Sequence, residues 1–188
     1  MPLVETAAPE AEPLTLEEVK LHLRVTTDAE DDLIAALILA ARQACESYTG
    51  LALITRGYSL FLDDWCSRPC VELPKPPLAA VSAVYTYAAD NSTAVFPADS
   101  YLVDAVSRPA RVVLTGAPPV PGKTVNGIEF RYTAGFGDAP EDVPEGLREG
   151  MKRLVAQMYM HRGDGEDGAL EKSGAQSLFQ SYRLMRLA

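Results

Sequence analysis

Apolar residues fall into three regimes along the chain, and each predicts a different kind of structure. Between Leu16 and Leu23, the residues Leu16, Val19 and Leu23 share one helical face. Thr15 and Glu18 form a capping box in front of them, so a short helix is predicted over 15–23. Thr27 and Glu30 repeat that signal, and Asp28, Glu30, Asp31 and Asp32 crowd the next first turn, where the helix dipole favours negative charge. Leu33, Ile34, Leu37, Ile38, Ala41, Ala44, Cys45 and Tyr48 then recur at helical spacing and Gly50 ends the run, predicting a helix over 28–49. Leu39 and Leu51 lie off its main face and offer a second contact surface.

The period changes over 54–133. Tyr58, Leu60 and Leu62 alternate with Ser59 and Phe61, and Val71 and Leu73 precede a proline-rich break. Residues 81–87 are rich in β-branched and aromatic residues, Asp90 to Ser92 is a turn signal, and 94–96 resumes the strand character, which reads as a hairpin. Segments 101–103, 111–114 and 127–133 follow, separated by Pro and Gly. Short strands without intervening helices predict an antiparallel sheet rather than βαβ units. Helical spacing returns with Leu147, Met151, Leu154, Val155, Met158 and Tyr159, after Asp142 as a cap and Pro144 in the first turn, predicting a helix over 143–162. The fold class is therefore α+β: a helical bundle with an inserted antiparallel β-sheet region, in one domain over 14–162.

Two ends stand outside this pattern. Residues 1–13 carry Glu5, Glu10 and Glu12 without a hydrophobic period and read as a flexible or extended acidic arm. Residues 163–188 begin as a polar, glycine-bearing hinge and end on an apolar tip holding Leu178, Phe179, Tyr182, Leu184, Met185 and Leu187. An apolar tip on a polar hinge either folds back on its own core or reaches a neighbouring chain, and the second reading is preferred.

Charge narrows the function classes. Across 188 residues there are 26 acids against 17 bases, a net charge of −9, which disfavours a sequence-independent grip on DNA because phosphates must be met by Lys and Arg. The longest strongly apolar stretch, 33–41, is far short of the roughly 20 residues a bilayer span needs, so no membrane partner is expected. No basic and apolar leader opens the sequence, and the three cysteines are an odd number, so cytoplasmic assembly with free thiols is the expectation.

Candidate chemistry is thin. Cys66 and Cys70 make one loose pair where a zinc site wants four ligands, and neither His22 nor His161 stands at ligand spacing from them. Gly122, Lys123 and Thr124 imitate the end of a phosphate loop. The first glycine of that motif would fall on Ala117, and Pro118, Pro119 and Pro121 forbid the loop, so a turn between strands is predicted. No enzyme, cofactor or metal is expected from these residues. The alternatives that stay open are a small thiol hydrolase using Cys66 or Cys70 and a DNA-packaging subunit.

Three runs at the front, Pro13-Leu-Thr-Leu-Glu-Glu-Val-Lys-Leu-His-Leu-Arg-Val, Asp31-Asp-Leu-Ile-Ala-Ala-Leu-Ile-Leu-Ala-Ala-Arg and Glu46-Ser-Tyr-Thr-Gly50, together resemble the opening of the head–tail connector (adaptor) proteins of long-tailed phages and gene transfer agents. Tyr132-Thr-Ala-Gly-Phe-Gly137, Val143-Pro-Glu and Tyr159-Met-His-Arg162 are also similar to that family. The resemblance implies a ring of identical copies, commonly a dodecamer, under the portal of a phage-like particle. It would be made in the cytoplasm and end in the virion neck. It implies a DNA channel through which DNA passes without specific binding, and a docking surface for the next neck or tail-completion protein. It also implies a C-terminal portal-binding arm, whose candidate contacts are Leu178, Phe179, Tyr182, Leu184, Met185 and Leu187. Asp28, Glu30, Asp31, Asp32, Asp63 and Asp64 are the candidate channel-facing acids, since an acidic lumen repels phosphate. Helix capping is the competing explanation for the first four.

Overall fold

The computed structural model describes residues 1–65, 70–162 and 168–184, and the chain divides into two compact units. One is built from Glu10–Ile54 and the chain from Gly137 on, the other from Met1–Pro9 and Thr55–Phe136. The inserted β region is thus a compact unit in its own right.

The first unit is helical. It holds α1 (Leu16–Leu23), α2 (Asp31–Thr49), α3 (Glu145–Met160), α4 (Ala169–Lys172) and α5 (Ala175–Gln180). α1 starts as predicted: the Thr15 hydroxyl accepts the Glu18 N–H at 3.2 Å. α2 starts three residues later than the predicted boundary at 28, without a side-chain cap, so the box expected at Thr27 does not form. Glu30, the acid of that box, instead accepts from Tyr159 and Arg162, while Lys20 of α1 binds Asp28 and Asp31, each at 2.7 Å. Gly50 ends α2 at φ 80°, a conformation that glycine adopts without steric cost. α3 likewise has no side-chain cap, and the Asp142 carboxylate instead accepts the Ala139 N–H at 3.0 Å inside the preceding 3-10 turn. Ile34, Ile38, Ala41 and Cys45 of α2 and Leu147, Met151, Leu154 and Val155 of α3 are buried where these helices pack. Leu51 is also buried, so of the two residues expected to offer a second surface only Leu39 does, at 39 % exposure. The Leu53 N–H donates to the Glu46 carboxylate at 3.0 Å, and Arg42 binds Glu46 and Glu12, so the buried charges of α2 are paired.

The second unit is all β. A five-stranded sheet has the order β1-β2-β8-β4-β5, from β1 (Leu3–Glu5), β2 (Arg56–Leu62), β4 (Leu78–Tyr87), β5 (Thr93–Phe96) and β8 (Ile128–Ala134). A three-stranded sheet has the order β3-β7-β6, from β3 (Cys70–Leu73), β6 (Tyr101–Asp104) and β7 (Ala110–Leu114). All strand pairs are antiparallel, as the pattern predicts. β1 is new: part of the supposed acidic arm is an edge strand in register with β2, Leu3 opposite Leu60.

Alternation gives the large sheet two unlike faces. Tyr58, Leu60, Leu62, Val84, Ile128, Phe130 and Tyr132 face inward and are buried. Trp65 lies over this side, 5.3 Å from Phe96 and 6.2 Å from Phe130 between ring centres, and Phe96 stacks on Tyr101 of the small sheet. The other face carries Val4, Ser59, Phe61, Tyr85, Tyr87, Val95, Glu129 and Arg131. At its centre the buried Glu129 carboxylate accepts from Ser59, Tyr87 and Arg131 at 2.6 to 3.1 Å. Burial alone would raise its pKa, but these donors hold it below the usual carboxylate range.

Candidate docking surfaces

The C-terminal segment is positioned by two glycines. Gly146 and Gly150 sit four apart on α3 and so share one helical face, bare of side chains. Phe179 of α5 lies over Gly150 so closely that a Cβ there would collide with its ring. Tyr182 covers Gly146 in the same way, its hydroxyl 2.9 Å from where a Cβ would stand. Phe179 is fully buried, with the Tyr48 ring 6.4 Å away. Past α5 the Leu184 N–H donates to the Thr49 carbonyl at 3.0 Å, satisfying one of the open carbonyls at the end of α2. Arg183 lies over Tyr48 at 5.2 Å.

Phe179, one of the candidate arm contacts, fills a notch in its own helical unit in the single chain, a burial that stabilises by roughly 2–3 kcal/mol. Leu178, Tyr182 and Leu184 are half-buried, and Met185 and Leu187 lie outside the described residues. The Gly146 and Gly150 pair is the signal that points to this docking, because two glycines on one face of an otherwise good helix invite close packing.

The six candidate acids are mostly engaged. Asp28 and Asp31 hold Lys20, and that partner keeps the Asp28 carboxyl below its ordinary value. Glu30 accepts from Tyr159 of α3 and from Arg162 just past its end, which lowers it likewise. Asp63 accepts the Asn126 N–H at 2.8 Å, and Asp64 accepts the Trp65 N–H at 2.7 Å. Asp32 is exposed at the start of α2. The first four sit in the helical unit and the last two in the sheet unit.

Cys66 lies outside the described residues, and Cys70 is a half-buried residue of β3. Cys45 is buried, which pushes its thiol well above the ordinary range and away from the reactive thiolate. Among the described residues, no group of three or more His, Cys, Asp or Glu side chains could hold a metal ion. Among them too, no helix is long and apolar enough to cross a membrane. The Gly122 segment is a bent connection between strands that leads into β8. A groove of about 280 Å³ beside it is lined by Thr86, Tyr87, Ser92, Thr93, Val120 and Pro121, with no acid, base or histidine.

What the sheet unit does display is apolar surface on edges and turns. Val95 on β5 is 64 % exposed, and Leu102 and Val103 on β6 are exposed as well. Val106 is 92 % exposed on a turn fixed by Asp104, which accepts from the Val106 and Ser107 N–H groups and from Arg111. Exposed apolar side chains on rigid supports suit protein contacts better than chemistry.

Comparison with known proteins agrees. Residues 13–94 match the family described as Phage gp6-like head-tail connector protein. Among solved structures, a chain from the neck of an empty gene transfer agent particle, computed with C6 symmetry, superposes with a TM-score of 0.87 at 31 % identity, covering 100 % of this chain and 98 % of that one. A chain from the neck of the native particle, computed with C12 symmetry, gives 0.84 at 28 % identity, with 100 % and 98 % covered. A chain from the virion of the native particle gives 0.84 at 29 %, with the same coverage. No curated protein matches the chain. With a neighbour above 30 % identity along its whole length and the family match at its front, the chain belongs to the gp6-like head–tail connector family, whose members are structural proteins of the particle neck and not enzymes.

Proposed function

We propose that this connector works as a closed ring of identical copies beneath the portal of a phage-like particle. It is made in the bacterial cytoplasm and ends in the particle neck. The observation that carries this reading is the full-length likeness to a chain of a gene transfer agent neck, together with the C6 and C12 symmetries of the two neck structures. A ring of twelve satisfies both symmetries. DNA passes through the lumen without specific binding, as a net charge of −9 favours. Asp32 and the partly neutralised acids near it, with Asp63 and Asp64, are the candidate lumen surface. Below, the ring presents a surface to the next neck or tail-completion protein.

The chain end docks on the portal. Phe179 anchors α5 to α3 and fixes where the chain leaves the helical unit. Leu178, Tyr182, Leu184, Met185 and Leu187 are then the portal contacts. Truncation after Ser181 keeps that anchor and tests the assignment. The expected product is folded and ring-forming but fails to attach to portal-bearing heads in a sedimentation assay. Attachment at the full-length level would overturn the arm's role.

A further inference from the structure

The five-stranded sheet ends in two free edges, β1 and β5, both in the sheet unit. Hydrogen-bond alternation decides which backbone groups they offer. The Thr6 N–H donates to the Gly57 carbonyl at 2.9 Å and the Phe61 N–H to the Pro2 carbonyl at 3.0 Å, so Leu3 and Glu5 point their N–H and C=O groups away from β2. The Ala88 N–H donates to the Ser92 carbonyl at 2.9 Å, so by the same alternation Thr93 and Val95 point theirs away from β4.

Both edges are short, three and four residues, and neither carries a lysine or a bulge. β5 holds no charged residue, and Val95 is 64 % exposed. β1 exposes Val4 at 48 %, and its one charge, Glu5, is held by Arg56 at 3.6 Å. A closed ring needs two different surfaces per copy that fit each other. The sheet has two different edges whose free groups are complementary.

Building on the ring reading, we propose that β5 of one copy pairs with β1 of the next, so that the sheets join around the ring. The direction of the pair follows from topology. With every neighbour antiparallel, β1, β8 and β5 run the same way. The proposed pair is therefore the parallel one, in which the incoming β1 keeps the sense that it shares with β5. In a parallel pair Val95 then stands opposite Val4, its N–H donating to the Leu3 carbonyl and its carbonyl accepting the Glu5 N–H. Both valines project from the same face of the sheet, the one bearing Phe61 and Tyr85. So short a pair does not supply the roughly 800 Å² per partner that a stable contact buries; it fixes the direction and register of a larger one.

The test is a thiol cross-link. Val4→Cys and Val95→Cys are combined in a chain with Cys66→Ser and Cys70→Ser, leaving the buried Cys45. The purified protein is treated with a short thiol cross-linker, with and without connector-free, DNA-filled heads. The expected result is a covalent ladder on denaturing gels that climbs to the full ring, absent from either single-cysteine chain. Val95→Pro is the second arm. It removes an N–H that makes no bond within the sheet, so the fold should hold while ring formation weakens roughly tenfold or more, and Val95→Thr should assemble normally. Rings of normal mass with no ladder, and with Val95→Pro assembling as well as wild type, would overturn the edge pairing while leaving the ring intact. A wild-type chain that stays monomeric under both conditions would overturn the ring reading itself and the pairing with it.

Discussion

Phe179 and Gly150 define a tight contact of the helical unit, because a ring side chain occupies the space that any Cβ would need. Two substitutions follow from that fit. Phe179→Ala should cost about 3–5 kcal/mol in the denaturant-unfolding free energy of the helical unit, the range for emptying a buried aromatic site. Gly150→Val should destabilise comparably by expelling the ring. An unchanged unfolding midpoint in Phe179→Ala would mean that α5 is not docked. At this scale the sequence was legible where a side chain serves its nearest backbone, as Thr15 does at α1 and Gly50 at the end of α2. It misled at Thr27 and Asp142. A capping pattern is local, whereas Tyr159 and Arg162, the partners that take up Glu30, lie far along the chain.

At the scale of elements, ion pairs tie the start of α2 to its neighbours. Lys20 of α1 holds Asp28 and Asp31, while Arg162 and Tyr159 hold Glu30. Lys20 is raised by its hydrogen bond to Asp28, so its contribution is present below the unfolded value of 10.5 and lost as pH rises through the folded one. Asp28 is lowered by the same bond, so its contribution is present above the unfolded value of 3.8 and lost as pH falls through the folded one. Stability should therefore be flat between about pH 5 and pH 9 and fall below about pH 4. Thermal melts across that range check it, and Lys20→Met should flatten the acid limb. An acid limb of unchanged steepness in that variant would contradict the assignment. Salt should weaken the effect, because Asp28 is exposed.

Strands were the readable part of the elements. Tyr58, Leu60 and Leu62 alternate cleanly, and that alternation is the buried face of β2. β1 was not readable, because Leu3, Val4 and Glu5 are too few to show a period and their partner lies more than fifty residues away. The docking of α5 was hidden for a related reason. An apolar tip carries no mark of which surface covers it, and only the paired glycines of α3 point to the groove.

For the whole molecule, composition and resemblance agreed on a protein that holds others together. A net charge of −9 and exposed valines on the edge and turns of the sheet unit fit a connector. What one chain cannot display is the ring, because a heterologous contact puts half of each interface on another copy. The edges of the five-stranded sheet are the place where that missing half leaves its outline. The most direct measurement is made on particles from cells in which the gene for this chain is deleted. Electron microscopy should show DNA-filled heads and separate tails, with joined particles restored when the chain is supplied in trans. Joined particles at the wild-type yield in its absence would contradict the connector role.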